Sequence, residues 1–272
     1  MKKLNVALVG LGFGLEFVAI YCKHPDIDKV YVVDKNEKLL NIAKERYSIP
    51  DERCFTDLQD VLDIPEIDAV HLVTPPATHA PFSVRVLNAG KHCGCTIPMG
   101  MSIQELNDII AARKASGKNY MFMETTIFQR EFLYIQELYK KGELGRLQYM
   151  TCAHYQDMEG WPEYWEGFPP LMHPTHAVAP CLMLAGHLPD KVYARGSGKI
   201  RKELADKYGC PFAFESAFIS LQDSDVTIEM ERFLYGVARN YSECFRVYGE
   251  TRASNGSNLV KKSSSLYPHR RI

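Results

Sequence analysis

The sequence lacks the features that mark several classes of protein. No apolar run reaches the roughly 18 residues that a membrane-spanning helix needs, and no segment repeats along the chain. Lysine and arginine (32 residues) nearly balance aspartate and glutamate (33 residues), for a net charge of −1. This balance gives no reason to expect nucleic acid or an anionic membrane as a partner. With 46% hydrophobic and 24% charged residues, the composition is that of ordinary folded domains.

Cysteine is present, but its spacing is not that of a metal site. The eight cysteines are scattered, and only Cys93 and Cys95 lie close together, as C-x-C. Zinc sites usually show C-x2-C spacing with a second ligand pair, so we predict free buried thiols and no metal. Residues 1–14 have the lysines and apolar run of a signal peptide, but their glycines favour a first strand and turn. We therefore expect reduced cysteines and a cytoplasmic location.

Strand and helix patterns alternate over residues 1–122. Short apolar runs of strand length lie at 4–9, 29–33, 69–73, 91–96 and 120–123, and helical stretches separate them. Gly90 ends one of these helices and Ser102 begins another, as the first residue of a Ser-x-x-Glu capping box. The alternation predicts an α/β domain with a doubly wound parallel sheet, the Rossmann fold.

Residues 123–251 show a different pattern. Helices are predicted at 130–141 and 175–185. Strand-like segments lie near 147–154, 190–196, 213–221, 225–231 and 244–249. Consecutive strands with short turns predict a second, α+β domain with a mostly antiparallel sheet.

A glycine-rich turn follows the first predicted strand and opens a helix. Gly10 permits a tight turn there, and Gly12 allows a pyrophosphate to approach the backbone at the helix N-terminus. The third glycine of the usual pattern belongs at position 15, but here it is Gly14. Asp34 ends the next strand, where an acidic side chain holds the ribose hydroxyls of a dinucleotide. A carboxylate there repels a 2′-phosphate, so the turn predicts NAD rather than NADP as the cofactor.

Three longer segments carry a family resemblance. They read VALVGLGFG (6–14), VTPPATHAPFSVRVLNAGKH (73–92) and KKGELGRL (140–147). Through them the chain resembles the glucose-fructose oxidoreductase/inositol dehydrogenase family, often called Gfo/Idh/MocA. The resemblance implies the same two-domain build and hydride transfer between NAD(P) and a sugar, cyclitol or related polyol. It also implies a small-molecule substrate and a homo-oligomer, a dimer or a tetramer.

The resemblance also assigns cofactor contacts and shows one departure. It implies that the cofactor contacts Phe13, Thr74, Pro75, His79, Thr96, Ile97 and Pro98 in addition to the glycine turn. The family normally has Glu-Lys-Pro at residues 96–98, where this chain has Thr-Ile-Pro. In the family, the lysine lies by the nicotinamide and the reacting oxygen. Ile97 can neither transfer a proton nor stabilise a charge there.

A second family motif lies at residues 171–186. The family has an aspartate, a histidine four residues later and a glycine ten residues beyond that. His176 and Gly186 fit this spacing, but Met172 occupies the aspartate position. Because imidazole titrates near neutral pH, we predict that His176 is the acid/base of a divergent dehydrogenase. His173, as a helper or sugar ligand, and Glu124 are further candidate catalytic residues.

The segment from 154 to 165 is rich in aromatic and hydrogen-bonding side chains. His154, Tyr155, Trp161 and Trp165 are our candidates for substrate binding, because a sugar has apolar faces and a polar rim. Two other functions stay open. One is a sensor or co-regulator that binds NAD and a sugar without turnover, which the loss of lysine and aspartate fits. The other is a glycoside-cleaving enzyme that oxidises a sugar carbon transiently.

Residues 252–272 are polar and basic, with no strand or helix period. In one reading frame of possible codons, this stretch gives a Phe-Glu-Trp-Gln-Gln run like that of relatives, so we hypothesise a frameshift near Thr251. The alternative is a natural disordered tail. Either origin predicts that the second domain lacks its last strands, exposes a sheet edge and is less stable than its relatives.

Overall fold

The computed structural model describes residues 2–236, 238, 241–255 and 258–261. It divides into two compact units, an N-terminal unit of residues 1–123 and a C-terminal unit of residues 124–272. Within the described residues, no helix combines the length and the hydropathy that crossing a membrane requires. None of the eight cysteines takes part in a disulfide.

The N-terminal unit is built on one parallel sheet. Its strands are β1 (Leu4–Val9), β2 (Ile27–Val33), β3 (Cys54–Phe55), β4 (Ala69–Leu72), β5 (His92–Cys95) and β6 (Tyr120–Phe122). Its helices are α1 (Leu15–Lys23), α2 (Glu37–Tyr47), α3 (Leu58–Leu62), α4 (Pro76–Asn88) and α5 (Ile103–Ser116). The strand order β3-β2-β1-β4-β5-β6 confirms the predicted doubly wound fold. The sequence patterns missed β3 and α3, which are two and five residues long.

Alternate residues of β1 explain why the sheet carries helices on both faces. Ala7 and Val9 pack in the core that includes residues of α3, α4 and α5. Leu8 points the other way, into the core shared with α1 and α2. A strand buried on both faces reads as a continuous apolar run, which is the pattern of LNVALV.

The C-terminal unit is a seven-stranded sheet with helices on one face. Its helices are α6 (Arg130–Lys140), α7 (Thr175–Ala185) and α8 (Lys202–Tyr208). Its strands are β7 (Leu147–Tyr155), β8 (Pro189–Ser197), β9 (Phe214–Leu221), β10 (Thr227–Phe233), β11 (Ser242–Gly249), β12 (Arg252–Asn255) and β13 (Asn258–Lys261). The order is β13-β12-β11-β7-β10-β9-β8, and every pairing is antiparallel except that of β7 with β10. The predicted α+β fold with a mostly antiparallel sheet is confirmed.

The two faces of this sheet differ in polarity. One face packs its apolar side chains against α6 and α7 to form the core. The other face carries polar pairs between neighbouring strands, such as the Tyr149 hydroxyl, which donates to Glu229 at 2.7 Å. The residues that alternate with these lie on the helix-covered face, and some of them are polar residues of the candidate functional site.

The end of the described chain contains two further strands. Strands β12 and β13 lie within residues 252–261, where the sequence showed no strand period. β12 pairs with β11, so β11 is not the edge of the sheet. Arg252 also pairs with Glu143, with 2.5 Å between Nη1 and Oε2. Residues 262–272, the rest of the predicted tail, lie outside the described residues.

Candidate functional site

The glycine turn between β1 and α1 has two structural glycines and one open one. Gly10 has φ +91°, and a Cβ on it would lie 2.2 Å from the carbonyl oxygen of Val73. A Cβ on Gly14 would lie 1.9 Å from the oxygen of Gly10. At Gly12, by contrast, a Cβ would meet nothing within 4 Å. The turn therefore needs glycine at 10 and 14 to fold, and it leaves open space beside Gly12 at the start of α1.

Asp34, the acidic residue after β2, is tied to the same turn. One carboxylate oxygen accepts a hydrogen bond from the backbone N–H of Leu11 at 2.6 Å, and the other accepts from Asn36 at 2.8 Å. Each carboxylate oxygen can accept two hydrogen bonds, so both keep capacity for a ribose hydroxyl. The backbone contacts hold the side chain at the carboxyl end of β2, beside the glycine turn.

The other predicted cofactor residues lie at two neighbouring strand ends, except for His79, which lies inside a helix. Thr74 and Pro75 follow β4, and residues 96–98 follow β5. His79 lies inside α4 with 1% of its surface exposed, and its ring nitrogens are 2.6 Å from the Pro98 oxygen and 2.7 Å from the Thr74 oxygen. The imidazole thereby joins these two loops.

These residues fit a bound dinucleotide. Phe13, which is 68% exposed, Gly12 and Asp34 follow β1 and β2, and Thr74 and Thr96 follow β4 and β5. They gather at the carboxyl ends of the strands around the β1–β4 pair, where the order of the sheet reverses. Ligands of open α/β sheets bind at this kind of crevice. Ile97 is largely buried there, with 8% of its surface exposed.

In the C-terminal unit, His176 and Glu124 form a hydrogen-bonded pair. Nδ1 of His176, in the first turn of α7, lies 2.7 Å from Oε1 of Glu124. The Glu124 side chain is 3% exposed and that of His176 is 16% exposed. Both were predicted as catalytic residues from different parts of the chain, 52 residues apart. The fold brings them together as a carboxylate that orients an imidazole.

Glu124 is held in its charged form. Burial alone raises the pKa of this carboxyl, but the hydrogen bond and charge of His176 and two hydrogen bonds from Thr126 bring it below its usual value. The Thr126 backbone N–H and hydroxyl each donate to Oε1 at 2.9 Å. A charged carboxylate accepts a hydrogen bond from the Nδ1–H of His176, so the lone pair of the neutral imidazole lies on Nε2.

A second carboxylate lies near the pair. Oε1 of Glu243, on β11, is 3.9 Å from Nδ1 of His176, and its other oxygen accepts from the Gln129 amide at 2.6 Å. The Tyr241 hydroxyl also donates to Glu243. Burial, together with this hydrogen bond, raises the pKa of Tyr241 well above its usual value. The pair of His176 and Glu124 therefore lies in a polar, negatively charged environment.

His173 is held by a buried arginine. Arg232, on β10, has no exposed surface. Its Nε donates to the backbone oxygen of His173 at 2.9 Å, and its Nη2 donates to Nδ1 of the His173 ring at 3.2 Å. Other donors of Arg232 go to the oxygens of His154, Phe233 and Gln156. Burial lowers the pKa of the guanidinium to about 9, so it stays charged at neutral pH.

His154 is fully buried in the cluster that it forms with His173, His176, Glu124, Arg232 and Glu243. It has no exposed surface, and neither ring nitrogen has a hydrogen-bond partner among the described residues. Its ring centre is 5.1 Å from that of His176 and 5.1 Å from that of Tyr241. Burial, with the charge of Arg232, holds the pKa of His154 far below its usual value. The imidazole is therefore neutral, and it packs against the catalytic candidate rather than reaching solvent.

The other substrate candidates separate into two places. Trp165 packs edge-on against His173, with 5.2 Å between ring centres, and against Trp161 at 6.3 Å. Tyr155 follows His154 on β7 and therefore points to the opposite face of the sheet, where its hydroxyl donates to Glu231. The structure thus places both tryptophans in the neighbourhood of the histidines and Tyr155 away from it.

Arg232 and Glu243 also belong to the cluster, but neither was predicted from the sequence. A signal for Arg232 exists, because β10 alternates buried and half-buried residues and the arginine shares the buried face with Ile228 and Met230. A charged residue on the apolar face of a strand is rare unless it is paired. Glu243 and Gln129 join the site only through pairing of β11 with β7 and the start of α6, which no local pattern shows. Among the described residues, no group of histidine, cysteine or acidic side chains has the geometry of a metal site.

Comparison with curated proteins shows distant relatives. Over 203 residues the chain is 25% identical to a glycosyl hydrolase family 109 protein of Shewanella sp. (strain W3-18-1), covering 66% of this chain and 44% of the relative. The match to an alpha-N-acetylgalactosaminidase of Shewanella oneidensis is 24% identical with the same coverage. The chain thus spans less than half of the length of these relatives.

Comparison with solved structures shows the fold. An aldose-aldose oxidoreductase from Caulobacter crescentus, complexed with glycerol, superposes with a TM-score of 0.81 at 22% identity, over 98% of this chain and 85% of that one. A scyllo-inositol dehydrogenase from Lactobacillus casei, with bound NAD(H) and scyllo-inositol, gives 0.77 at 18% identity, over 98% and 84% of the two chains.

The sequence model of one protein family matches the N-terminal part of the chain. It is GFO_IDH_MocA, described as an oxidoreductase family with an NAD-binding Rossmann fold, and it matches residues 4–124. The matched region contains the glycine turn, Asp34 and the strand ends that fit a dinucleotide. Residues 4–124, less than half of the chain, thus match the Gfo/Idh/MocA family of NAD-binding oxidoreductases.

Proposed function

We propose that this protein is an NAD-dependent oxidoreductase that oxidises or forms a CH–OH group of a sugar, glycoside or cyclitol. The observation that carries the proposal is the 2.7 Å hydrogen bond between His176 Nδ1 and Glu124. It orients the imidazole and leaves the lone pair on Nε2 as a base for a hydroxyl proton. When bound, NAD supplies the hydride acceptor or donor.

In this proposal, His176 and Glu124 carry out the proton transfer. His176 accepts the hydroxyl proton at Nε2 in the direction of oxidation and returns it in the direction of reduction. Glu124 stabilises the imidazolium that forms, because its charge lies at hydrogen-bond distance from Nδ1. Glu124 takes no proton itself, since three donors on Oε1 favour the ionised form.

The two departures from the family pattern limit what the usual residues can do. Ile97 offers no polar atom, and Met172, which ends a 3₁₀ turn at Pro170–Met172, is half-buried and equally unable to transfer a proton. We propose that His176 with Glu124 performs proton transfer without them. Trp165 and Trp161 supply apolar ring surface for a sugar face, and the polar cluster supplies its hydroxyl contacts.

A second candidate function is cleavage of a glycoside through transient oxidation. The curated relatives named as a family 109 glycosyl hydrolase and as an alpha-N-acetylgalactosaminidase favour it. This reaction needs a base and an acid near one sugar ring, and Glu243 provides a second carboxylate 3.9 Å from His176. In this case NAD is regenerated in each turnover, so products accumulate without net NADH.

The experiment follows NADH and sugar release together. Purified protein is incubated with NAD and a panel of free sugars, inositols and p-nitrophenyl glycosides, and the absorbance of reduced nicotinamide and of nitrophenol is recorded. We expect NADH formation with at least one polyol. His176→Ala should lower kcat by about 100- to 10,000-fold. Glu124→Gln should also lower it, because an amide can donate to Nδ1 and move the lone pair away from Nε2.

His187→Ala is the matched control, since His187 is exposed in the loop after α7. It should leave the rate unchanged. Nitrophenol release without net NADH selects glycoside cleavage. Tight NAD binding with neither product signal contradicts both enzymatic functions and supports a sensor that binds without turnover.

The assembly and the location of the protein are also proposals. We propose a homo-oligomer, because Tyr193 and Phe218 are cross-strand partners on β8 and β9 and are 68% and 49% exposed. Apolar surface of this kind is typical of a surface that another subunit covers. We propose a cytoplasmic location, which eight free cysteines fit.

A further inference from the structure

The hydrogen bond between Arg232 and His173 determines where the ring proton of His173 lies. A guanidinium has only donors, so the nitrogen that it contacts must offer a lone pair. That nitrogen is Nδ1, 3.2 Å from Nη2 of Arg232. In the neutral ring the single proton is therefore on Nε2. His173 is fixed as an N–H donor at Nε2.

The environment keeps His173 in this neutral form. Burial, with the positive charge of Arg232, lowers the pKa of His173 to about 3. The residue His173 is 5% exposed, whereas His154 has no exposed surface. Among the described residues, no acceptor is hydrogen-bonded to Nε2 of His173. This N–H is available to a ligand at any ordinary pH.

His176 has the opposite arrangement. Its Nδ1–H donates a hydrogen bond to Glu124, so Nε2 is an acceptor. The ring centres of His173 and His176 are 5.5 Å apart. A hydroxyl group needs one acceptor for its proton and one donor for its oxygen, each at about 2.8 Å. A separation of 5.5 Å between ring centres leaves room for one oxygen to contact both rings.

Resting on the proposed function, we propose that His173 is a catalytic residue that donates its Nε2–H to the reacting oxygen, and that Arg232 is the positioning residue that fixes this donor. During oxidation the hydroxyl proton moves to Nε2 of His176, and the carbon gives up a hydride, for which NAD⁺ would be the acceptor when bound. The C–O bond becomes a C=O bond. His173 keeps its proton throughout and stabilises the charge on the oxygen as it builds.

This role replaces what the chain lacks at residue 97. The resemblance assigns charge stabilisation at the reacting oxygen to a lysine, and Ile97 cannot provide it. A neutral N–H donor in a buried site stabilises a developing oxyanion without carrying a charge of its own. The arginine provides the fixed orientation, since its Nε and Nη2 bind both the backbone oxygen and the ring of His173.

The first test is spectroscopic and needs no turnover. Protein with ¹⁵N-labelled histidine is studied by NMR, where ring nitrogen shifts distinguish protonated from unprotonated nitrogen. The signals missing in His173→Gln identify His173. We expect an unprotonated Nδ1 and a protonated Nε2. The Nε2–H signal should move when NAD is added with D-glucose, N-acetyl-D-galactosamine or myo-inositol. A protonated Nδ1, or an Nε2–H that none of these probes moves, overturns the proposal.

The second test separates the donor from the shape of the side chain. His173→Gln keeps an amide N–H near the place of Nε2, whereas His173→Met has similar length and no donor. With a polyol that the wild-type protein oxidises, His173→Met should lower kcat about 100- to 1,000-fold with little change in KM. His173→Gln should recover most of that loss. Equal rates for the two variants contradict donation at Nε2.

Arg232→Lys tests the positioning residue. It keeps a charge but cannot bind the ring and the backbone oxygen of His173 together. We expect the NMR signals of His173 to show a mixture of both ring tautomers. An unchanged single tautomer contradicts positioning by Arg232, and if this variant does not fold, the wild-type spectrum still decides the proposal.

The two proposals fail in different ways. If no polyol is oxidised and His176→Ala changes nothing, the proposed function fails, whatever the tautomer of His173. If polyol oxidation depends on His176 but not on a donor at residue 173, the proposed function stands and this inference fails.

Discussion

Glycines 10 and 12 are two residues apart, yet the structure gives them separate tasks. Gly10→Ala places a Cβ 2.2 Å from the Val73 oxygen at a backbone φ of +91°. We expect it to lower the free energy of unfolding by on the order of 3 kcal/mol. Gly12→Ala places a Cβ in open space. We expect unchanged stability but NAD affinity weakened by about 1–3 kcal/mol.

Urea unfolding and calorimetric titration with NAD measure the two effects on the same samples. The variants serve as controls for each other, because each changes one glycine of one turn to alanine. If Gly12→Ala binds NAD as tightly as the wild-type protein does, the cofactor does not approach the backbone at this residue.

At the scale of elements, helix α5 depends on its first turn. The Ser102 hydroxyl accepts from the backbone N–H of Glu105 at 3.2 Å, and the Glu105 carboxylate accepts from the N–H of Met101 at 2.6 Å. We expect Ser102→Ala to lower the free energy of unfolding by about 1 kcal/mol, because the backbone N–H of Glu105, in the first turn of the helix, loses its partner. Ser102→Asp, which also caps, should cost much less. Thermal or urea unfolding decides, and equal losses in both variants would speak against capping as the cause.

The length of an element determines whether a local sequence pattern can predict it. Helices such as α4 and α5 were predicted because thirteen or fourteen residues carry their signals. β3, with two residues, and β12, with four, are too short for a period to show. They exist as strands because a neighbouring strand, β2 or β11, offers unpaired backbone groups.

At the scale of the whole molecule, buried histidines make stability depend on pH. Burial lowers the pKa of His71 to about 4, and His79, His154 and His173 are shifted in the same direction. A histidine with a lowered folded-state pKa binds its proton first in the unfolded chain. The stability that it provides is therefore present above the unfolded pKa and is lost as the pH falls towards the folded pKa.

We expect the free energy of unfolding to fall as the pH drops from about 6.5 to about 4, with His71 alone contributing about 3 kcal/mol over this range. Urea unfolding at a series of pH values measures the fall. In His71→Gln, which keeps a partner for the Tyr21 hydroxyl, the fall should be smaller by that amount. Parallel curves for the two proteins would show that His71 titrates alike in the folded and unfolded chains.

Much of this protein was readable from its sequence alone. The apolar runs and their alternation with helices determined the Rossmann fold, because burial on both faces of a parallel strand leaves a continuous pattern. GLGFG followed by Asp34 indicated NAD, because the tight turn and the close backbone approach that a dinucleotide needs both favour glycine. The spacing of His176 and Gly186 identified the histidine of the second unit.

The tertiary structure alone decided which side chains act together. Glu124 joins His176 across 52 residues, and Arg232 fixes the ring of His173 across 59. Such pairs leave no local period, because they depend on how β7, β10 and β11 lie side by side under α7. The same sheet turns Tyr155 away from its neighbour His154. The proposed roles of the histidines rest on these partners, since a partner on one ring nitrogen determines what the other nitrogen can do.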